Sequence, residues 1–282
     1  MNIKNQQFIT QATPRIYFLG VIFLRFRVIK ISSFFIIFSL LSLTVISAVT
    51  ISHISVKVSN NARRLPIYSV QTEEKKIAIT FDAAWSAEDT DELIRILKKH
   101  NAKATIFAVG DWVKKNPDAV KKLHKSGHEM ANHSDTHAAF SKISREEIKQ
   151  EIIECNKKIE AITGTTPKLV RAPSGDYDNK SIEVAESLGM KMIQWDCDSL
   201  DWKLLSVDEM YNRVVNKVQN GSIILFHNGV ENTPEALDKI LTKLKADGYE
   251  FVTVSELIYW DTYEIDHSGR QIKKQTNHRT LP

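Results

Sequence analysis

The chain has 282 residues, 26% charged and 43% hydrophobic, with a formal net charge of +4. That is room for one catalytic-sized domain and an attached segment, and it excludes two large domains. Part of the positive excess sits at Lys4, Arg15, Arg25, Arg27 and Lys30, and no later basic stripe interleaved with aromatics supports nucleic-acid binding.

Residues 1–30 form a basic N-terminus. Ile31–Ile51 follows, a run without a single charge. About 20 apolar residues suffice to span a bilayer, and the preceding positive charges place the N-terminus inside. The expectation is a single-pass membrane anchor with an extracytoplasmic domain behind it. A cleaved signal segment, giving a secreted protein, is the alternative. Residues 52–75 are mixed and polar and read as a linker.

From Lys76 onward, short apolar runs alternate with amphipathic stretches. The strand-like runs are Lys76–Asp82, Ala104–Gly110, His128–His133, Lys168–Pro173, Met190–Asp198, Ser222–His227 and Tyr249–Val254. The helical stretches are Glu88–His100, Ser144–Thr163, Ser181–Leu188, Val207–Gln219 and Pro234–Ala246. Ser144 with Glu147 makes a capping box. Ser86 is the expected cap of the first helix. Gly127, Gly189, Gly221 and Gly248 end segments before the next strand. Such alternation predicts parallel strands with right-handed crossovers, as a distorted α/β barrel of about seven strands over residues 76–260. An open doubly wound sheet is the alternative, although the first strand is followed by no Gly-rich phosphate loop. The polar tail 261–282 either forms a hairpin across Ser268-Gly269 or has no structure. Cys155 and Cys197 are too few for a disulfide framework and read as buried thiols.

Residues able to do chemistry recur at the C-terminal ends of these strands: Asp82, His133, Arg171, Asp198 and His227. In a barrel those ends converge on one face. His133 and His137 could share a metal if their segment makes a helical turn, with Asp135 between them in a supporting place or facing solvent. Asp82 suits a general base or a metal ligand. Arg171 could orient a carboxylate. Asp198 and Asp201 sit in DSLDW and His227 in LFHNG, and a buried Asp hydrogen-bonded to a His keeps the imidazole basic, with a proton available for a leaving group. Trp195, Trp202 and Leu225 read as core or pocket wall.

Thr80–Asp82 (TFD), His133–His137 (HSDTH), Arg171–Gly175 (RAPSG), Asp198–Trp202 (DSLDW) and Leu225–His227 (LFH) resemble, in order, the five motifs of polysaccharide deacetylases. These form the NodB homology group, carbohydrate esterase family 4. The resemblance runs from about Lys76 to Tyr259. It implies a distorted barrel and metal-dependent removal of acetyl groups from a polysaccharide such as peptidoglycan or another N-acetylglucosamine polymer. It implies Asp82 as base, Arg171 as the residue positioning it, His227 as acid and Asp198 as the partner tuning that acid. Ser174 would offer a backbone N–H to the oxyanion, and Trp202 and Leu225 would line the substrate groove. His133 and His137 would bind a divalent metal, usually zinc. The family's first motif has two adjacent aspartates, the second a metal ligand. Here Ala83 and Ala84 follow Asp82, so that third ligand is missing. Ser174 also replaces the family's usual aromatic residue. The first change resembles deacetylases linked to sporulation. The glycan, the metal and the oligomeric state are not set by these motifs.

Overall fold

The computed structural model describes residues 63–274 together with Phe38 and Leu41. The expected anchor at Ile31–Ile51 lies outside the described residues apart from those two. Among the described residues, no helix is long and apolar enough to cross a membrane.

The strands of the main sheet are β2 (Lys76–Ala83), β3 (Ala104–Ala108), β4 (Glu129–Asn132), β5 (Leu169–Val170), β6 (Lys191–Met192), β7 (Cys197–Asp198), β8 (Ile223–His227) and β9 (Glu250–Val252). Their order is β6-β5-β4-β3-β2-β8-β7, with β9 also paired to β2. Every pairing is parallel. The helices are α1 (Thr90–Lys99), α2 (Gly110–Lys115), α3 (Pro117–Lys125), α4 (Arg145–Thr163), α5 (Asn179–Ser187), α6 (Val207–Val215), α7 (Thr233–Ala246) and the short α8 (Val254–Leu257). This is the expected alternation, in a half-barrel sheet consistent with a distorted barrel.

The run Met190–Asp198, expected as one strand, is two. The chain leaves β6, crosses, and re-enters as β7 on the far edge of the sheet. Asp196 holds that crossing by accepting hydrogen bonds from Ser222 Oγ and Ile223 N, both at 2.9 Å. Hydrophobicity runs through the whole stretch, so composition alone could not reveal the break. Between these two edges lies residue stretch 67–70, which includes β1 (Ser69–Val70): Ile67 bridges Ile193 and Ser69 bridges Ser222. Ile67 is 2% exposed, although it lies in the polar stretch that reads as linker. The tail forms the hairpin of β10 (Tyr263–Ile265) and β11 (Arg270–Lys273), with Gly269 turning at φ 82°. β11 pairs with β1 in parallel.

β2 shows how the pleat sorts side chains. Ile77, Ile79, Phe81 and Ala83 face the helices in one apolar cluster with Leu97 of α1 and Leu237 of α7. Ala78 joins a second cluster inside the sheet's curve, with Phe107, Ile193 and Ile223. Thr80 and Asp82 share that inner face. The Ser144 capping box forms as expected, Glu147 N donating to Ser144 Oγ at 3.2 Å and Ser144 N to Glu147 Oε2 at 2.7 Å. Ser86 does not cap α1. Its hydroxyl accepts from Glu88 N at 3.1 Å, and the helix begins later, at Thr90. Both cysteines are free and buried.

Candidate active site

β2 and β8 pair with Asp82 directly opposite His227. Adjacent strands lie about 4.8 Å apart, so the register alone sets the two residues side by side at the sheet's C-terminal end. Arg171 directly follows β5, and its backbone N–H is held by Asn132 O at 2.9 Å. The guanidinium then reaches back across the inner face. Its Nη1 donates to Asp82 Oδ1 at 2.6 Å and to Thr80 Oγ1 at 3.0 Å, and Nη2 to Gln194 O at 3.1 Å. Phe107 lies beneath it, with the cation 4.0 Å from the ring centroid. Arg171 is 0% and Asp82 5% exposed. Burial would push the Asp82 carboxyl up, but the Arg171 charge, aided by His133 and His227, outweighs it and holds the group below the ordinary carboxylate range. Asp82 is therefore a fixed, ionised carboxylate.

The acid is built differently from expectation. The partner of His227 is Asp201, not Asp198. His227 Nδ1–H donates to Asp201 Oδ1 at 2.7 Å, while Asp201 Oδ2 accepts from His227 N at 2.7 Å and from Thr233 Oγ1 at 2.9 Å. Asp201 is fully buried. Asp198 instead accepts from Trp195 Nε1 at 3.2 Å and Leu200 N at 2.8 Å. The reason is local. Leu200 is left-handed at φ 55°, and a turn of 3-10 helix at Asp201–Lys203 follows, which swings Asp201 under β8. Burial pulls the His227 imidazole down, but the hydrogen bond and charge of Asp201, with weaker help from Asp82 and Asp198, leave it above its ordinary value. With Nδ1 engaged, Nε2 is the nitrogen available to a substrate.

His133 follows β4. Its Nδ1 lies 3.0 Å from Arg171 O, and a carbonyl only accepts, so Nδ1 carries the proton and Nε2 the lone pair. Nε2 sits 3.5 Å from Asp82 Oδ2. Burial pushes this imidazole down to about 4, so it is neutral near pH 7. The His137 ring meets it edge-on with centroids 5.1 Å apart. No helical turn brings them together: the loop does, through positive φ at Ser134 and His137, both 64°. Asp135 is turned away and pairs with Lys158 at 2.6 Å.

Two neutral imidazoles with a carboxylate behind them resemble the beginnings of a zinc site, but a catalytic zinc takes three protein ligands. Ala83 is 1% exposed and packed in the helix-facing apolar cluster, and Ala84 lines the cleft without a donor atom. Among the described residues, no group of three His, Cys, Asp or Glu is placed to hold a metal. The residues present do not fit a three-ligand metal centre.

Asp82, His133, His137, Asp198 and His227 open into one cleft of about 510 Å³, walled by Ser174, Trp195, Trp202 and Leu225. Ser174 is left-handed at φ 55°, in a tight turn after Pro173. Sequence reasoning missed Trp85, which stacks on the His227 ring at 5.1 Å between centroids and 26° between planes. Only its closeness in sequence to Asp82 could have pointed to it.

The comparisons agree with this geometry. The polysaccharide deacetylase family model matches residues 69–193. A peptidoglycan-N-acetylglucosamine deacetylase of Bacillus cereus is 36% identical over 196 residues, covering 68% of this chain and 92% of the relative. The peptidoglycan-N-acetylglucosamine deacetylase PgdA of Listeria monocytogenes is 36% identical over 230 residues, covering 79% of this chain, which spans only 48% of PgdA's length. Among solved structures, BA3943 of Bacillus anthracis, a CE4 family pseudoenzyme, matches with TM-score 0.66 and 36% identity over 70% of this chain and 69% of that one. The chain belongs to the polysaccharide deacetylase family.

Proposed function

We propose that the chain removes N-acetyl groups from a glucosamine-containing envelope glycan of the peptidoglycan type. The observation that carries this reading is the pairing of a clamped, ionised base with a supported acid, Asp82–Arg171 beside His227–Asp201, on adjacent strands of one cleft. Asp82 takes the proton of the attacking water. The oxyanion that develops meets the backbone N–H of Ser174. His227 gives its proton to the departing amine, which would otherwise be a poor leaving group. Trp202 and Leu225 wall the groove. Because the donor set is incomplete, no step is assigned to a metal. The names of the Bacillus cereus and Listeria relatives support the glycan class. The uncharged run Ile31–Ile51 behind a basic N-terminus supports placement outside the cytoplasm, anchored in the membrane or released after cleavage. The test is acetate release from N-acetylglucosamine oligomers and from peptidoglycan, with and without added zinc or cobalt. No acetate from any of them, with the fold intact, refutes the reading.

A second reading is favoured by one observation, the buried Ala83 where the family carries a metal ligand. Here the chain binds the glycan without turning it over, as a pseudoenzyme. BA3943 is described as a pseudoenzyme, and a mutant of it as having restored activity. Metal content of the native protein and the variant Ala83→Asp separate the two. A wild type that binds no metal and is inactive, with an Ala83→Asp variant that gains both, establishes the second reading.

A further inference from the structure

Among the described residues, β6 and β7 stand at the two edges of the main sheet. Residue stretch 67–70 lies across the interval between them. Ile67 N donates to Met192 O at 3.0 Å, Gln194 N donates to Ile67 O at 2.7 Å, and Val70 N donates to Gly221 O at 2.9 Å. The stretch therefore joins the end of β6 to the chain entering β8. It is closely seated. Ile67 is 2% and Val70 0% exposed, and a Cβ at Gly221 would overlap Val70 O. The C-terminal hairpin backs it: Gly269 O accepts from Tyr68 N at 2.9 Å, and Gln271 O accepts from Gln71 N at 2.8 Å.

Gln194 is where this packing reaches the chemistry. Its N–H is held by Ile67, and its carbonyl accepts from Arg171 Nη2 at 3.1 Å. Arg171 Nη1 is already committed to Asp82 and Thr80, and Nε has no partner among the described residues. Gln194 O is therefore the one acceptor that grips the guanidinium away from Nη1. Phe107 and Trp195 lie 4.0 and 5.3 Å from the cation by their ring centroids, but such contacts are less directional than a hydrogen bond. Gln194 belongs to neither β6 nor β7. It sits in the crossing between them, so the placement of its carbonyl depends on what holds its N–H.

We propose that Ile67 is a positioning residue for the base: it holds Gln194, Gln194 O fixes the Arg171 guanidinium, and the guanidinium fixes the Asp82 carboxylate. The chain ahead of β2 and the hairpin after α8 thereby set the geometry of a site whose reacting residues all lie between them in sequence. A domain drawn from Lys76, where the strand and helix alternation begins, would lack this support.

The test is nitrogen NMR of isotope-labelled arginine side chains in the full chain, for the wild type, Ile67→Ala, Ile67→Val and Leu244→Ala, with Arg171→Met to assign the Arg171 signals. Leu244 is 0% exposed near the C-terminal end of α7, whose opposite end, at Thr233, is the one that touches Asp201. It serves as a core change away from the site. In the wild type the guanidinium is locked, and Nη1 and Nη2 give separate signals. Ile67→Ala broadens or merges them, Ile67→Val broadens them less, and Leu244→Ala leaves them separate. Where acetate release is measurable, Ile67→Ala lowers kcat about ten-fold and leaves KM alone, a smaller loss than the roughly 10²-fold that a 1 Å misplacement can cost. Merged signals in the wild type, separate and sharp ones in Ile67→Ala, or an equal loss in Leu244→Ala overturn the proposal. Should Ile67→Ala fail to fold, Ile67→Val decides in the same spectrum. The kinetic arm rests on the hydrolase reading of the cleft, and the spectroscopic arm does not. Ile67-dependent signals without any acetate release sink the hydrolase reading and leave the positioning role standing, whereas acetate release with kcat indifferent to Ile67 does the reverse.

Discussion

Replacing Arg171 with Met tests the heart of the site. The side chain is fully buried, and its guanidinium is the cation that faces the buried Asp82 carboxylate at 2.6 Å. Methionine fills a similar volume and removes the charge, together with the hydrogen bonds to Thr80 Oγ1 and Gln194 O. Breaking a buried pair leaves the other ion uncompensated, at a cost of about 3–5 kcal/mol. For a domain of this size about 2–4 °C of Tm is lost per kcal/mol, so Tm should fall by roughly 6–20 °C. Asp82→Asn/Arg171→Met removes both charges, and it should recover much of the loss. Urea and thermal unfolding of the wild type, the two single variants and the double variant close the cycle. The pH dependence carries a sign. A carboxyl held below its ordinary value stabilises the fold above the unfolded pKa, and that stability is lost as pH falls through the folded one. The wild type should therefore lose stability in acid more steeply than Asp82→Asn. An Arg171→Met cost under about 1 kcal/mol, the net worth of an exposed pair, or a double variant no better than the sum of the singles, would refute the reasoning.

Other outcomes follow from the same geometry. Asp201→Asn removes the charge that holds His227 above its ordinary value, so the alkaline limb of the kcat profile should move to lower pH, whereas Asp198→Asn should move it much less. An unchanged limb in Asp201→Asn, or the larger effect in Asp198→Asn, would contradict the assignment. His227→Ala should lower kcat about 10²–10⁴-fold with little change in KM, because a general acid acts in the transition state. A change confined to KM would count against the role. Ile67→Ala should destabilise the domain by about 2–5 kcal/mol in urea unfolding, as expected for a large-to-small change at a packed site. A loss within about 0.5 kcal/mol, typical of surface positions, would show that the segment does not pack there in solution.

The missing donor at Ala83 is legible only through the resemblance to the family's first motif, whereas the alternation of strand and helix and the strand-end positions of Asp82, His133, Arg171 and His227 are readable from residues alone, because each depends on local periodicity or on residue type. So is the capping box at Ser144, whose partners are three residues apart. Tertiary structure decided what local pattern leaves degenerate. DSLDW offers two carboxylates three residues apart, and only the left-handed Leu200 and the turn after it put Asp201 against His227. The apolar run after Met190 reads as one strand, and only its two different neighbours in the sheet make it two. Ile67 lies in a polar stretch, and it is buried because it bridges Ile193 at the sheet's edge. Trp85 carries no motif at all. It belongs to the site because the loops after β2 and β8 leave adjacent strands at the same level, and that adjacency is set by register between residues 145 apart in the chain, Asp82 and His227.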